Sequence, residues 1–181
     1  MLTPYEASYI IAYINSYKAP EIPELSSEYY GPDPYDINWV MPLHEATLKS
    51  DRVKLTPFIP SLHAREYTKQ TTTHPELHRR FVFDLTSLNK ILMQVELTIC
   101  SQPLPILFTI INKACRGALV GVIGLLNTLL FNLSTEIGWV IMFPVFQCMY
   151  VSSNAISLLL QYCLELPSDL ERPGLGFRRV Q

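Results

Sequence analysis

The second half of the chain alternates between long apolar segments and short polar ones. Three apolar segments rich in β-branched residues predict buried strands, namely Ile106–Asn112, Ala118–Leu126 and Thr135–Met142. The segment Lys113–Gly117 separates the first two and ends in glycine, which favours the tight turn of an antiparallel hairpin. The pattern therefore predicts a sheet in this half of the chain.

Upstream of this sheet the pattern predicts one more strand and two helices. Arg52–Thr56 alternates between polar and apolar residues, as a half-exposed first strand does. Ser61 follows a proline and precedes a helical pattern of apolar and charged residues, so we expect it to cap a helix. A second helix is predicted over Asp84–Glu96, with Thr86 or Ser87 as its cap.

Downstream of the last strand, a short polar loop leads into an amphipathic helix. The helix is predicted over Val151–Leu164, and the loop Gln147–Ser153 lies at its start. Free backbone N–H groups and the helix dipole make such a position attractive to phosphate. An apolar strand that feeds this kind of turn is typical of sites for nucleotide-like cofactors.

The first 50 residues differ in composition from the rest. A short helical pattern at Tyr5–Tyr17 is followed by a segment, YYGPDPYDINWVMP, that is rich in turn formers and large aromatic residues. Prolines there forbid a long helix, yet the aromatic residues are too apolar for a free tail. We expect residues 1–50 to form an arm packed on a domain of residues 51–181.

Composition limits the function classes. The chain has 181 residues, 49% of them hydrophobic, which is enough for one core, and its net charge of −2 favours neither nucleic acid nor an anionic membrane surface as a partner. Glu6 and the lack of early basic residues argue against a signal peptide. The four cysteines form no CxxC pair and the histidines lie far upstream, so we expect no metal site, free thiols and a cytoplasmic location.

A membrane protein is a distant alternative, because residues 104–131 are strongly apolar. Within them, Ala118–Leu130 is short for a span, which needs about 20 residues. The run also contains glycines and an asparagine and is flanked by β-branched residues, which favour strands. Buried strands are therefore the preferred interpretation over a small integral membrane protein.

The segment STEIGWVI followed by FQ…VSSNAISLLLQYCLE resembles the acetyl-CoA binding core of the GCN5-related N-acetyltransferases, the GNAT superfamily. It looks closest to fungal proteins related to the ribosomal-protein N-terminal acetyltransferases. The resemblance implies an α/β fold with a mostly antiparallel sheet flanked by helices on both faces. It makes Ile106–Asn112 and Ala118–Leu126 strands two and three, and Thr135–Met142 strand four.

The same resemblance implies a set of residues that bind acetyl-CoA. Strand four would offer unpaired backbone groups to the pantetheine arm, and the loop that follows would hold the pyrophosphate. The implied residues are Val140, Ile141, Met142, Gln147, Tyr150, Val151, Ser152 and Ser153. The chain departs from the family motif, since Tyr150 replaces its first glycine and Ser152 its second small residue, and related fungal sequences often carry a basic residue in place of Cys148.

Acetyl transfer to an amine needs a base that removes a proton from the ammonium. Glu136 is the carboxylate within the apolar strand, and beside a dry cleft it would suit that task directly or through water. A half-exposed strand position and a structural ion pair are the alternatives. The histidines His63, His74 and His78 fall near the first helix, where surface histidines are usually solvated rather than catalytic.

By the same resemblance, GLGFRRVQ at residues 174–181 looks like the opening of strand five, next to strand four. The superfamily continues beyond this point, so we expect a fold incomplete at its C-terminal end. The function predicted is acetyl transfer from acetyl-CoA to an amine, by direct attack in a ternary complex and impaired by truncation. A non-catalytic remnant that acts as a binding protein is the alternative. The acceptor, a small molecule or a protein N-terminus, stays open.

Overall fold

The computed structural model describes residues 30–181 except residue 82, together with the backbone of residues 13–14. Within these residues one five-stranded sheet forms, and its spatial order follows the chain. Its strands are β1 (Val53–Pro57), β2 (Ile106–Asn112), β3 (Ala118–Leu129), β4 (Ser134–Met142) and β5 (Arg179–Val180). Neighbouring strands are antiparallel except β4 and β5, which are parallel. The prediction of a mostly antiparallel sheet is confirmed.

Three α-helices lie in the described part of the chain: α1 (Pro60–Thr72), α2 (Leu88–Val95) and α3 (Tyr150–Leu164). A wide helical turn, Glu96–Cys100, extends α2. Single 3₁₀ turns occur at Pro75–His78, Lys113–Cys115, Leu130–Asn132 and Pro144–Phe146. The three helices predicted downstream of residue 60 and the turn between β2 and β3 are thus present near the predicted places.

The chain divides into two compact units. The described residues of Met1–Trp39 and Phe58–Pro103 form the first unit, which contains α1 and α2. Val40–Pro57 and Leu104–Gln181 form the second unit, which contains the sheet and α3. The prediction of an arm over residues 1–50 stays a prediction.

In the second unit, α3 packs on the sheet through apolar side chains. Phe108 of β2 and Tyr162 of α3 are both fully buried, and their rings meet edge to face with centroids 6.3 Å apart. The Tyr162 hydroxyl donates to the Pro42 carbonyl oxygen at 2.7 Å, which satisfies the polar end of this buried side chain. β2 is buried along its whole length, which explains its continuous apolar sequence.

Two local predictions in the first unit need correction. Tyr13–Ile14 lies within the predicted Tyr5–Tyr17 helix, yet it is extended and pairs in parallel with Tyr35–Asp36. The other residues of that predicted helix lie outside the described residues. Helix α1 begins at Pro60, with Ile59 rather than Ser61 at the cap position. Proline suits this first position because its fixed φ is helical and its missing N–H would have had no partner there.

Helix α2 begins later than predicted, although its predicted cap is right. The Ser87 Oγ accepts a hydrogen bond from the Lys90 N–H at 3.4 Å, as an N-cap serine does. Asp84 and Thr86 precede the helix, and the Asp84 carboxylate accepts from both the backbone N–H and the hydroxyl of Thr86. Asp84 and Thr86, which fall within the predicted helix range, therefore form a turn before the helix.

The β3–β4 connection carries an apolar tip. β3 extends to Leu129, three residues beyond the predicted end, and a single turn then leads to Leu133 at φ 46°. Leu129 and Leu130 are exposed, and Phe131 is 100% exposed. These three apolar side chains therefore lie at the surface of the second unit and not in its core.

In the part of the chain that the structure describes, no helix is long and apolar enough to cross a membrane. The apolar residues 104–131 that raised this alternative contain β2 and β3 instead.

The close packing of β3 against β4 makes Gly121 sensitive to substitution. A Cβ atom there would overlap the Ile141 carbonyl oxygen, which belongs to a paired strand and cannot move away freely. We expect Gly121→Ala to lower the free energy of unfolding by about 1–3 kcal/mol, measured by urea denaturation. Gly138→Ala is the matched control, because its Cβ would meet the flexible end of the Leu126 side chain. Equal losses for the two variants would contradict this explanation.

Candidate functional site

Strand β4 carries one extra residue near its middle. Gly124 of β3 pairs with Gly138 of β4, and Val122 pairs with Ile141, so Trp139 and Val140 together lie opposite Ile123. Trp139 has a φ of 49°, in the left-handed region that a non-glycine residue rarely occupies. This is a β-bulge, which bends a strand and locally interrupts its pairing.

The bulge reverses the direction of the backbone groups that follow it. Before the bulge, the Ile137 N–H donates to the Gln181 carbonyl on the β5 side at 2.8 Å. After it, the Phe143 N–H donates to the Val120 carbonyl on the β3 side at 2.9 Å. In a regular strand, residues six apart point the same way, so the extra residue causes the change. Val140 and Met142 consequently direct their backbone groups away from β3.

The three predicted pantetheine contacts on β4 therefore differ from one another. Ile141 pairs with Val122, so its backbone groups belong to the β3–β4 ladder. The Met142 carbonyl accepts a hydrogen bond from the Gln147 side-chain amide at 3.1 Å. Val140 is 42% exposed and presents its backbone at the outer edge of β4. The structure thus brings Gln147 onto the strand and leaves Val140 as the accessible backbone position.

The start of α3 has the features expected of an anion-binding turn. Met149 occupies the cap position and its side chain makes no capping hydrogen bond, so the first-turn N–H groups of Tyr150, Val151 and Ser152 lack an intrahelical acceptor. The Ser152 and Ser153 hydroxyls donate back to the Met149 and Tyr150 carbonyls, at 3.4 and 2.9 Å. These two hydroxyls are therefore engaged by the helix itself, which the sequence did not indicate.

Tyr150, the residue that replaces the family glycine, directs its side chain towards the end of β2. Its hydroxyl donates to the Asn112 Oδ1 at 3.2 Å, and the Arg52 guanidinium lies 5.0 Å from its ring centroid. The left-handed residue of this loop is Cys148, at φ 58°, rather than Tyr150. The helix start is formed without glycine.

Asn112 links this helix start to the β2–β3 turn. Its Oδ1, besides the Tyr150 hydroxyl, accepts from the Ala114 N–H at 3.0 Å, and its Nδ2 donates to the Cys115 Sγ at 3.5 Å. Asn112 is fully buried, so these partners satisfy its amide inside the protein.

Glu136 is half-buried on β4, opposite Leu126. Its Oε2 accepts a hydrogen bond from the Asn127 side-chain amide at 2.7 Å. Asn127 is exposed and has a φ of 47°, within an irregular stretch at the end of β3. Of the two alternatives to a catalytic role, the half-exposed strand position describes this environment.

The predicted solvation of the histidines holds for His74 and is wrong for His63. His74 is half-exposed and its Nδ1 lies 2.9 Å from Glu76. His63, in the first unit, is fully buried, and its Nδ1 accepts a hydrogen bond from the Ile59 N–H at 2.8 Å. Burial lowers the pKa of His63 to about 4 and also lowers the pKa of His78, whose Nε2 lies 2.9 Å from the Tyr67 hydroxyl.

Neutral His63 supplies the side-chain acceptor at the start of α1, where the sequence predicted a capping Ser61. A side-chain acceptor four residues into the helix satisfies the N–H of the cap residue, much as the glutamate of a capping box does. The signal was present in the Ile59-Pro60 pair, because the cap residue commonly precedes a first-turn proline.

Two of the four cysteines are buried and two are exposed. Cys100 and Cys163 are buried, and burial raises the pKa of each thiol to about 12. Cys115 and Cys148 are exposed. No group of three or more histidine, cysteine or acidic side chains in the described residues is arranged to hold a metal ion.

No protein-family model matches this sequence, and no curated protein is significantly similar to it. Solved structures do match. A probable acetyltransferase of the GNAT family from Chromobacterium violaceum ATCC 12472 aligns over 90% of this chain and 73% of its own, with a TM-score of 0.65 and 19% identity. The fold is that of the GCN5-related N-acetyltransferases. A GCN5-related N-acetyltransferase from Brucella melitensis aligns over 74% of this chain and 57% of its own, with a TM-score of 0.56 and 21% identity.

The GNAT fold class predicted from the sequence is therefore confirmed. The chain spans 62%, 57% and 64% of the length of three matched acetyltransferase structures. At such low identity the likeness concerns the fold. The similarity to ribosomal-protein N-terminal acetyltransferases and the assignment of individual site residues stay predictions.

The buried His63 predicts a specific loss of stability in acid. Folded His63 has a pKa of about 4 and an unfolded histidine one of 6.5, so the unfolded chain binds an extra proton between these values. Its contribution is complete above pH 6.5, and we expect about 3 kcal/mol to be lost as the pH falls from 7 to 4. Urea denaturation across this range measures the loss.

His63→Asn provides the comparison, because an amide oxygen can accept from the Ile59 N–H without titrating. This variant should lose clearly less stability between pH 7 and 4 than the parent protein. His74→Gln, at a half-exposed position, should keep the parent's pH dependence. The same pH dependence in all three proteins would show that His63 is not responsible.

Proposed function

We propose that this protein is an N-acetyltransferase that binds acetyl-CoA along the outer edge of β4 and at the start of α3. The observation that carries the proposal is the bulge at Trp139 and Val140, which turns the Val140 backbone outwards two residues before the strand ends. The uncapped first turn of α3 follows after a short loop. The GNAT fold of the chain supports this proposal.

The two binding features suit different parts of acetyl-CoA. An outward-facing strand backbone can hydrogen-bond the amide groups of the pantetheine arm as an added strand would. First-turn N–H groups and the helix dipole suit the diphosphate. Tyr150 leaves these N–H groups accessible, since its side chain lies against Asn112.

In the proposed reaction, the amine nitrogen attacks the thioester carbonyl carbon, and the carbon–sulfur bond then breaks to release the CoA thiolate. The Val140 N–H would donate to the carbonyl oxygen while it gains negative charge. Glu136 would take the proton that the amine loses, through a water molecule, with the Asn127 amide holding its carboxylate in place. Binding the amine and the thioester next to each other would supply the rest of the rate enhancement.

We propose an amine as the acceptor, and the resemblance to ribosomal-protein N-terminal acetyltransferases makes a protein N-terminus the first class to test. A panel of N-terminal peptides and small amines, assayed with labelled acetyl-CoA, separates the two classes of acceptor. The cytoplasmic location predicted from the cysteines belongs to this proposal, since the described cysteines are free thiols.

A second candidate function is acetyl-CoA binding without transfer. The half-exposed position of Glu136, away from a dry environment, favours this candidate. Calorimetric binding of acetyl-CoA together with acetyl transfer no faster than background, for every amine in the panel, would establish it.

The proposed phosphate site predicts the effect of a negative charge at Ser152. Ser152→Asp should abolish acetyl-CoA binding in calorimetry, because the carboxylate would repel the diphosphate. An acidic residue in the first helical turn should leave the protein as stable as before or slightly more stable. Loss of binding could then not be ascribed to unfolding.

Ser157→Asp is the matched control, since Ser157 is an exposed serine further along the same helix. It introduces the same charge away from the first turn and should leave binding unchanged. Undiminished binding by Ser152→Asp would place acetyl-CoA elsewhere.

The proposed base predicts a separation of binding and catalysis. Glu136→Gln keeps an acceptor oxygen and the shape of the side chain but cannot take a proton at neutral pH. We expect kcat to fall by about 10²–10⁴-fold with the best amine of the panel, while acetyl-CoA affinity is retained. A kcat within about twofold of the parent's would exclude Glu136 as the base.

A further inference from the structure

The aromatic side chain at position 150 stands where the family motif has glycine, and it is held from both sides. Its hydroxyl donates to Asn112 at 3.2 Å, while the Arg52 guanidinium lies over its ring at 5.0 Å from the centroid. An arginine at this distance is attracted to the ring face and loses side-chain freedom. Tyr150 is also the first residue of α3, so the guanidinium lies beside the helix start.

The position of Arg52 is fixed by backbone pairing as well. Its carbonyl accepts from the Lys113 N–H at 2.8 Å, and the next residue, Val53, pairs with Asn112. In the described part of the chain, the guanidinium makes no ion pair with a carboxylate, and the side chain is exposed. Its charge is therefore available to an anion.

The surrounding end of the sheet is basic. The β2–β3 turn adds Lys113 and Arg116 at the same end as Arg52, where Asp51 contributes a carboxylate. The loop Gln147–Ser153, by contrast, contains no basic residue. An anion at the start of α3 would thus find its cation at Arg52, just before β1, and not in the loop.

We propose that Arg52, positioned by the ring of Tyr150, binds the diphosphate of acetyl-CoA; this inference rests on the function proposed above. A guanidinium can donate two parallel hydrogen bonds to phosphate oxygens while its plane stays stacked on an aromatic ring. Tyr150 acts here as the platform of the cation. The departure from the family glycine and the missing loop cation are two parts of one arrangement.

Calorimetry with CoA and with dephospho-CoA, which lacks only the 3′-phosphate, tests the assignment. We expect Arg52→Gln to raise the Kd by about tenfold for both ligands alike. Arg116→Gln is the matched control, a neutralised arginine at the same end of the sheet, and should change either Kd by less than about twofold. The thermal unfolding midpoint of each variant is measured alongside.

Tyr150 variants test the platform separately from the charge. Tyr150→Phe keeps the ring and loses the hydroxyl contact with Asn112, so it should weaken CoA binding clearly less than Tyr150→Ala does. Tyr150→Ala and Tyr150→Gly should weaken binding about as much as Arg52→Gln, although glycine restores the family residue. In the Arg52→Gln background, Tyr150→Ala should add little further loss, because both changes remove the same contact.

The outcomes separate this inference from the proposed function. A loss of affinity confined to CoA would assign Arg52 to the 3′-phosphate. Equal losses for Arg52→Gln and Arg116→Gln would indicate a nonspecific effect of positive charge at this end of the sheet. Either result overturns the inference and leaves acetyl-CoA binding intact. Tighter binding by Tyr150→Gly would also overturn it. Failure of the parent protein to bind CoA at all would overturn the inference together with the proposed function.

Discussion

The candidate site depends on one extra residue in β4. Without the bulge opposite Ile123, Val140 would direct its backbone groups at β3, and the outer edge of the strand would present Ile141 instead. The bulge requires Trp139 to adopt a positive φ, which costs on the order of 1–3 kcal/mol and must be maintained by its surroundings. Trp139 is buried, so its packing can offset that cost. Strain in the middle of a strand thus accompanies the exposure of a single backbone position at its edge.

The second determinant of the site is the way in which α3 starts. A large aromatic residue at the first position of α3 would hinder phosphate binding if its side chain covered the first-turn N–H groups. Here the hydroxyl of Tyr150 reaches Asn112, and the ring lies under Arg52. The side chain that departs from the GNAT motif therefore links the start of α3 to Asn112 of β2 and to Arg52, the residue before β1. Comparison with the GNAT motif alone would count Tyr150 as a residue that disrupts the turn, whereas its contacts show how the side chain is accommodated.

The elements of the sheet were predictable from the sequence because β2 and β3 bury apolar residues along most of their length and β4 does so in its second half. The details that shape the site were not. The bulge at Trp139 depends on pairing between strands, and no pattern within β4 marks it. Ser61 was the wrong cap because α1 already begins at Pro60, and the acceptor at this helix start is the buried imidazole of His63, which takes the N–H of Ile59. Asn127 as the partner of Glu136 depends in the same way on an irregular pairing.

One acceptor oxygen, the Oδ1 of Asn112, serves donors from two elements, the Ala114 N–H and the Tyr150 hydroxyl. The order of the β2–β3 turn and the order of the first turn of α3 are therefore thermodynamically linked, since loosening either one removes a partner that the buried amide shares with the other. A molecule that stiffens the helix start would slow the exchange of the Ala114 amide proton with solvent. The hairpin would then report occupancy of the helix start without itself touching the bound molecule.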